Sequence, residues 1–177
     1  MAHSPRILVI QTAFLGDVVL TTPLFRGLKR LFPDAHLTAL VTPAASPLLE
    51  GDPHLDALWT YDKRRGETLL SMAQRIRAGR FDRLICPHRS HRTALLALLS
   101  GIPERIGFRD AGFARAYGRR VDRPLSAHEV DRNLALLRGL GREPLPEDRV
   151  LAVEYSADER AAVEELVARA GFSPSER

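Results

Sequence analysis

Cysteine and tryptophan occur once each in the 177 residues, as Cys86 and Trp59. A lone cysteine closes no internal disulfide, so the fold must rest on its own apolar core. Aromatic side chains make up only 6% of the chain, and no strand carries the aromatic pattern of an RNA-binding sheet. No apolar run approaches the ~18–20 residues of a membrane span. The longest, over residues 93–99, serves one face of a helix. The opening Met-Ala-His-Ser-Pro-Arg lacks the basic-then-apolar order of a secretory signal. With the single cysteine, the lack of that order points to the cytoplasm. Nowhere does G-x-G-x-x-G or G-x-x-x-x-G-K-[ST] occur, which argues against a nicotinamide dehydrogenase or a P-loop nucleotidase. Asp-x-Asp and zinc-spaced His/Cys clusters are missing too, so no metal ligand set is expected.

What is present describes a globular domain, 45% hydrophobic and 27% charged. The formal net charge of +4 is unevenly spread. Residues 1–62 carry 4 basic and 6 acidic side chains, residues 63–123 carry 15 and 5, and residues 124–177 carry 7 and 11. All but one of those 15 basic residues are arginine, whose planar fork pairs bidentately with carboxylates and phosphates. The central stretch reads either as a solvated surface or as a site for a polyanion.

Strand and helix patterns alternate. Arg6-Ile-Leu-Val-Ile10 is a run with no polar alternation, as for a strand buried on both faces. Further strands are expected at 36–42, 55–61, 81–86, 104–108 and 150–154. Helices are expected from Asp17 to Leu31, with Pro23 ending a turn or kinking it, and at 43–50, 67–79, 93–99, 128–140 and 157–170. Leu69, Leu70, Ala73 and Ile76 are expected on the inner face of the helix at 67–79, and Val163, Leu166 and Val167 on the packing face of the last one. The order is that of an α/β fold with a Rossmann-like, mainly parallel sheet. Ligands of such folds bind beyond the carboxyl ends of the strands. At the first of these ends stands Gln11-Thr-Ala-Phe-Leu-Gly-Asp17. Gly16 permits a tight turn and close approach of a ligand. Asp17 reads either as an N-cap or as a carboxylate aimed into the cleft. His88, His91 and His128 read as pocket hydrogen-bonders or as structural side chains, and Trp59 and Tyr61 as core.

Leu15-Gly16-Asp17-Val18-Val19-Leu20-Thr21-Thr22-Pro23-Leu24 resembles the opening of the bacterial lipopolysaccharide heptosyltransferases, glycosyltransferase family 9. Three later stretches follow in order: Arg30-Leu-Phe-Pro-Asp34, Ser100-Gly-Ile-Pro-Glu-Arg-Ile-Gly-Phe-Arg109, and His128-Glu-Val-Asp-Arg-Asn133. The resemblance is closer to the second heptosyltransferase type. It implies the N-terminal half of a two-domain glycosyltransferase B architecture. Residues 1–171 would form the acceptor-binding domain and 172–177 the start of an interdomain linker, with the donor-binding domain absent from this chain.

The family's chemistry would be inverting and independent of metal or cofactor. Heptose would pass from ADP-heptose, held by the missing domain, to the lipopolysaccharide inner core, with Asp17 as general base. The acceptor's carboxylates and phosphates would engage the basic stretch. Candidate acceptor contacts are Gly16, Lys63, Arg64 and Arg65 near the third strand, Arg89 and Arg92 after the fourth, Arg109, Arg115, Arg119 and Arg120 in the following segment, and Arg132 in the 128–140 helix. No nucleic acid is expected as a partner. Peripheral contact with the anionic inner membrane would suit such an acceptor. The alternative from another class is a non-catalytic anion-binding α/β module, for nucleic acid or another polyanion.

Overall fold

The computed structural model describes residues 4–62 and 65–171. Lys63, Arg64 and the expected linker at 172–177 lie outside the described residues. The sheet has six strands, all parallel: β1 Arg6–Ile10, β2 His36–Val41, β3 Ala57–Thr60, β4 Arg83–Cys86, β5 Glu104–Phe108 and β6 Arg119–Val121. Their order is β3-β2-β1-β4-β5-β6. The chain thus winds outward in one direction from β1, returns to its other side at β4, and winds out again. The ends of β1 and β4 therefore diverge at a topological switch point.

Continuous apolar strands are explained by burial on both faces. Ile7 and Val9 point into one core with Leu24, Phe25, Leu28, Leu134 and Leu137. Leu8 and Ile10 point into a second core with Met72, Ile76, Leu84 and Leu96. The first face is covered by α2 (Thr22–Leu31), α5 (Glu129–Leu134) and the 3-10 turn Ala135–Leu140, and the 3-10 turn Pro146–Arg149 packs on α2 and α5. The second is covered by α3 (Leu69–Ala78), α4 (His91–Leu99) and the turn Ala114–Ala116.

Several expectations are corrected. Helix formation begins at Leu15, two residues before Asp17: α1 spans Leu15–Val19, and α2 restarts at Thr22 with Pro23 in its first turn. Gly16 therefore lies inside a helical turn rather than making a loop. Residues 43–50 hold only the 3-10 turn Ser46–Leu49. On α3, Leu70 is 59% exposed, and Met72 takes the inner position beside Ala73 and Ile76. The apolar run 150–154 forms no strand. It leaves the sheet and crosses the start of α2, where the Ala152 amide donates to Thr22 Oγ1 at 3.0 Å. α6 (Ala157–Arg169) is capped by Ser156, but Val163 and Leu166, expected on a packing face, are exposed. Gly141 ends the 3-10 turn before it at φ +72°, a left-handed conformation that glycine adopts without strain.

Candidate active site

A cleft of ≈ 400 Å³ opens at the switch point, beyond the carboxyl ends of β1 and β4. Gln11, Phe14 and Asp17 line its β1 side, and His88, Arg89 and Ser90 its β4 side. Arg123 and Glu129, just beyond β6 and at the start of α5, also line it.

Asp17 occupies the third position of α1. The residue in the cap position is Phe14, which has no side-chain acceptor, so Asp17 Oδ2 reaches back to the Phe14 amide at 3.2 Å. Capping and facing the cleft are thus compatible in one carboxylate. Below it, the break between α1 and α2 is built around Thr21. Its hydroxyl donates to the Asp17 carbonyl at 2.7 Å and accepts from Gln11 Nε2 at 3.0 Å. Asn133 of α5 donates from Nδ2 to the Leu20 carbonyl at 2.9 Å and lies 3.5 Å from the same hydroxyl. Gln11, Thr21 and Asn133 are all buried. The first and last of the sequence motifs, more than 100 residues apart, therefore meet in one hydrogen-bonded cluster.

Across the cleft, His88 Nδ1 lies 3.1 Å from Thr12 Oγ1 and 3.0 Å from Thr93 Oγ1, which fix the imidazole plane. Arg89 pairs with Asp110 at 2.7 Å. Arg123 donates to Glu129 Oε2 at 2.7 Å, and Arg132 donates to the same oxygen at 2.8 Å. Two guanidinium groups thus share one carboxylate, leaving a net positive charge at the wall. Arg123 Nε is buried with no hydrogen-bond partner among the described residues. Behind β4, burial pushes the Cys86 thiol up to about 12, so it remains a protonated core side chain donating to the His88 carbonyl.

Of the sequence candidates, Asp17 and Arg89 line the cleft together. The space beside Gly16 is open. Arg132 stands behind Arg123 and is also tied to the carbonyls of Pro124 and Leu125. Arg92 donates to Tyr61 Oη at 2.7 Å, on the layer of α4. Arg65 is exposed, 3.5 Å from Asp62. Arg109 pairs with Asp122 at 2.6 Å at the end of β5. Arg115 and Arg120 are exposed. Arg119 turns the other way, pairing with Glu104 at the amino edge of the sheet at 3.1 Å. Arg123, Glu129 and Gln11 were not singled out from sequence. For Arg123 the available signal was its place in the basic stretch; for Gln11, its position immediately after β1. Among the described residues, no group of three or more His, Cys, Asp or Glu side chains is placed to hold a metal ion.

A carboxylate on one wall and cationic side chains on the other can accept a proton from a hydroxyl while holding an anion. Comparison with known proteins bears on what that hydroxyl is. The sequence profile of "Glycosyltransferase family 9 (heptosyltransferase)" matches residues 69–172. Lipopolysaccharide heptosyltransferase 3 of Escherichia coli (strain K12) is 29% identical over 140 residues, covering 71% of this chain and 40% of that protein. The solved glycosyl transferase family 9 protein from Veillonella parvula DSM 2008 superposes with a TM-score of 0.77 at 26% identity, over 97% of this chain and 51% of that one. The E. coli ADP-heptose lps heptosyltransferase II structure gives 0.74 at 26% identity, over 97% and 52%. The chain therefore spans about half the length of the solved relatives it matches.

Proposed function

Because this chain belongs to glycosyltransferase family 9, the heptosyltransferases, we propose that it is the acceptor-binding half of an enzyme moving heptose from ADP-heptose to the lipopolysaccharide inner core. Residues 1–171 form the acceptor half, and the sugar nucleotide is held by a part of the protein outside this sequence. The reaction runs on the cytoplasmic side of the membrane. The observation that carries this reading is the position of Asp17, on the first turn of α1 at the rim of the switch-point cleft and facing a basic wall.

In this mechanism the acceptor hydroxyl lies within hydrogen-bond reach of Asp17. Its oxygen attacks the anomeric carbon from the face opposite the departing ADP. The new glycosidic bond forms as the bond to the diphosphate breaks, and configuration inverts. The hydroxyl proton passes to the Asp17 carboxylate. The leaving group's charge is met by the donor half, and no metal is assigned to the step. Arg89 and Arg123 hold acidic groups of the acceptor. Arg132 acts through Glu129 to position Arg123. Lys63, Arg64, Arg65, Arg92, Arg109, Arg115 and Arg120 remain proposed outer contacts, whereas Arg119 at the amino edge has no part in this cleft.

The test is heptose transfer to heptose-deficient lipopolysaccharide by the natural protein carrying this sequence. Asp17→Asn should lower kcat by on the order of 10²–10⁴ with little change in acceptor KM. An Asn variant within about threefold of the parent kcat would remove Asp17 from proton transfer.

A further inference from the structure

The most exposed large apolar side chain among the described residues lies at the cleft. Phe14 is 86% exposed and lines the wall that carries Asp17. It stands at the cap position of α1, where a side chain with an acceptor oxygen is preferred. Asp17 supplies the cap from the third position of the helix instead. The sequence thus holds a phenyl ring in water at this position and still closes the turn.

The ring is unburied, but its base is fixed. The Phe14 amide donates to Asp17 Oδ2 at 3.2 Å, and the Phe14 carbonyl accepts from the Val18 amide at 3.2 Å. Ring and carboxylate therefore belong to the same tied turn. Elsewhere the cleft is mostly polar, with Gln11 on the near side and His88, Arg89 and Ser90 across it. An apolar ligand would want those walls apolar too. One aromatic plane among hydrogen-bonding groups suits a ligand that is itself two-faced. A pyranose is such a ligand: the C–H bonds of one face pack on an aromatic plane, and the hydroxyls at its edge reach polar side chains.

We propose that Phe14 is the platform on which a pyranose ring of the acceptor stacks, and that it sets which hydroxyl edge meets Asp17. The proposal rests on the reading of this cleft as an acceptor site. The plane fixes the tilt of the sugar, Asp17 takes a hydroxyl at its edge, and acidic substituents extend toward Arg89 and Arg123. Because the Phe14 backbone is already held, little order is lost when the sugar arrives. A ring reserved for packing against the donor half would have apolar neighbours in the cleft, where Gln11, Asp17 and Arg89 stand instead.

The test uses the natural protein carrying this sequence, with deacylated heptose-deficient lipopolysaccharide as the probe. Phe14→Ser should raise the KM for the probe about tenfold, with the ADP-heptose KM and the melting temperature unchanged. Phe14→Leu, apolar but not planar, should lose nearly as much, and Phe14→Trp, which keeps a plane, should recover most of the loss. Tryptophan emission of the Phe14→Trp protein should change saturably with the probe, beyond any change in the parent. That titration needs no transfer. A protein that moves no heptose but shows the saturable change loses the proposed reaction and keeps the platform. An unchanged emission overturns the platform whether or not heptose is moved, and so does transfer with a parent-like acceptor KM in Phe14→Ser. A lower melting temperature of Phe14→Ser with both KM values unchanged also overturns it, by assigning the ring to protein packing.

Discussion

Gly107 on β5 belongs to the Gly-Ile-Pro-Glu-Arg-Ile-Gly stretch, and its neighbours explain why a larger residue should fail there. A Cβ at this position would lie 2.6 Å from Cδ2 and Cε2 of Tyr117 and 2.7 Å from Cγ. Three ring atoms are struck at once, so rotating the ring does not clear the contact. Tyr117 is only 2% exposed and packed in the second core, so it cannot swing into solvent. Nor can the backbone easily retreat, since β5 is bonded on both sides, with Gly107 opposite Cys86 and Arg120. Overpacking of this kind costs about 1–3 kcal/mol, and a site without relief belongs near the upper end. Replacing glycine returns about 0.5–1 kcal/mol by restricting the unfolded chain. Gly107→Ala should therefore lose roughly 2 kcal/mol, which at this chain length is a melting temperature lower by about 4–8 °C. Urea unfolding followed by Trp59 fluorescence gives the difference at constant m. Tyr117→Ala should cost less in the Gly107→Ala background than in the parent, with a coupling above about 1 kcal/mol. An alanine variant as stable as the parent, or strictly additive mutations, would refute the steric account.

Two further outcomes are expected. Asp148 is fully buried; burial opposes its charge, but the two hydrogen bonds from Arg30 and one from the Leu145 amide hold its carboxyl below the usual value. A depressed carboxyl contributes stability that is complete above the unfolded pKa of about 3.9 and is lost as pH falls through the lower folded value. Asp148→Asn should therefore lose about 2–3 kcal/mol at neutral pH, less than for a fully buried pair because Arg30 is partly exposed. Urea titrations across pH should show that gap closing in acid. Thr21→Val leaves buried donors of the α1–α2 junction unpaired and should cost about 1–3 kcal/mol by thermal unfolding, whereas Thr21→Ser should cost less than about 1.

The sheet was legible because parallel strands buried on both faces leave unbroken apolar runs, as in Arg6–Ile10. The same signal misleads at 150–154, where apolar residues leave the sheet and only a neighbouring strand, or its absence, decides between strand and extended loop. Leu70 was misplaced because Leu69, Met72, Ala73 and Ile76, spaced i, i+3, i+4 and i+7, form the inner stripe of α3, and Leu70 falls one residue off it. At the cleft, Asp17 was readable since its neighbours in sequence are its neighbours in space. Arg123 and Glu129 reach the cleft only after the chain has crossed to β6 and returned. Nor does composition show which cation has a carboxylate opposite it: Arg119 and Arg123 are four residues apart, yet one turns to the amino edge and the other to the cleft.

With five residues, α1 is too short to be a rigid body by itself. Its pose is borrowed: one end hangs from the end of β1, and the other is held where Asn133 grips the Leu20 carbonyl. Asn133 lies one helical turn along α5 from Glu129, the residue that holds Arg123. A single short helix therefore sets the height of the carboxylate on one wall and of the cation on the other. A change in the seat of α5 is therefore felt at both walls of the cleft together.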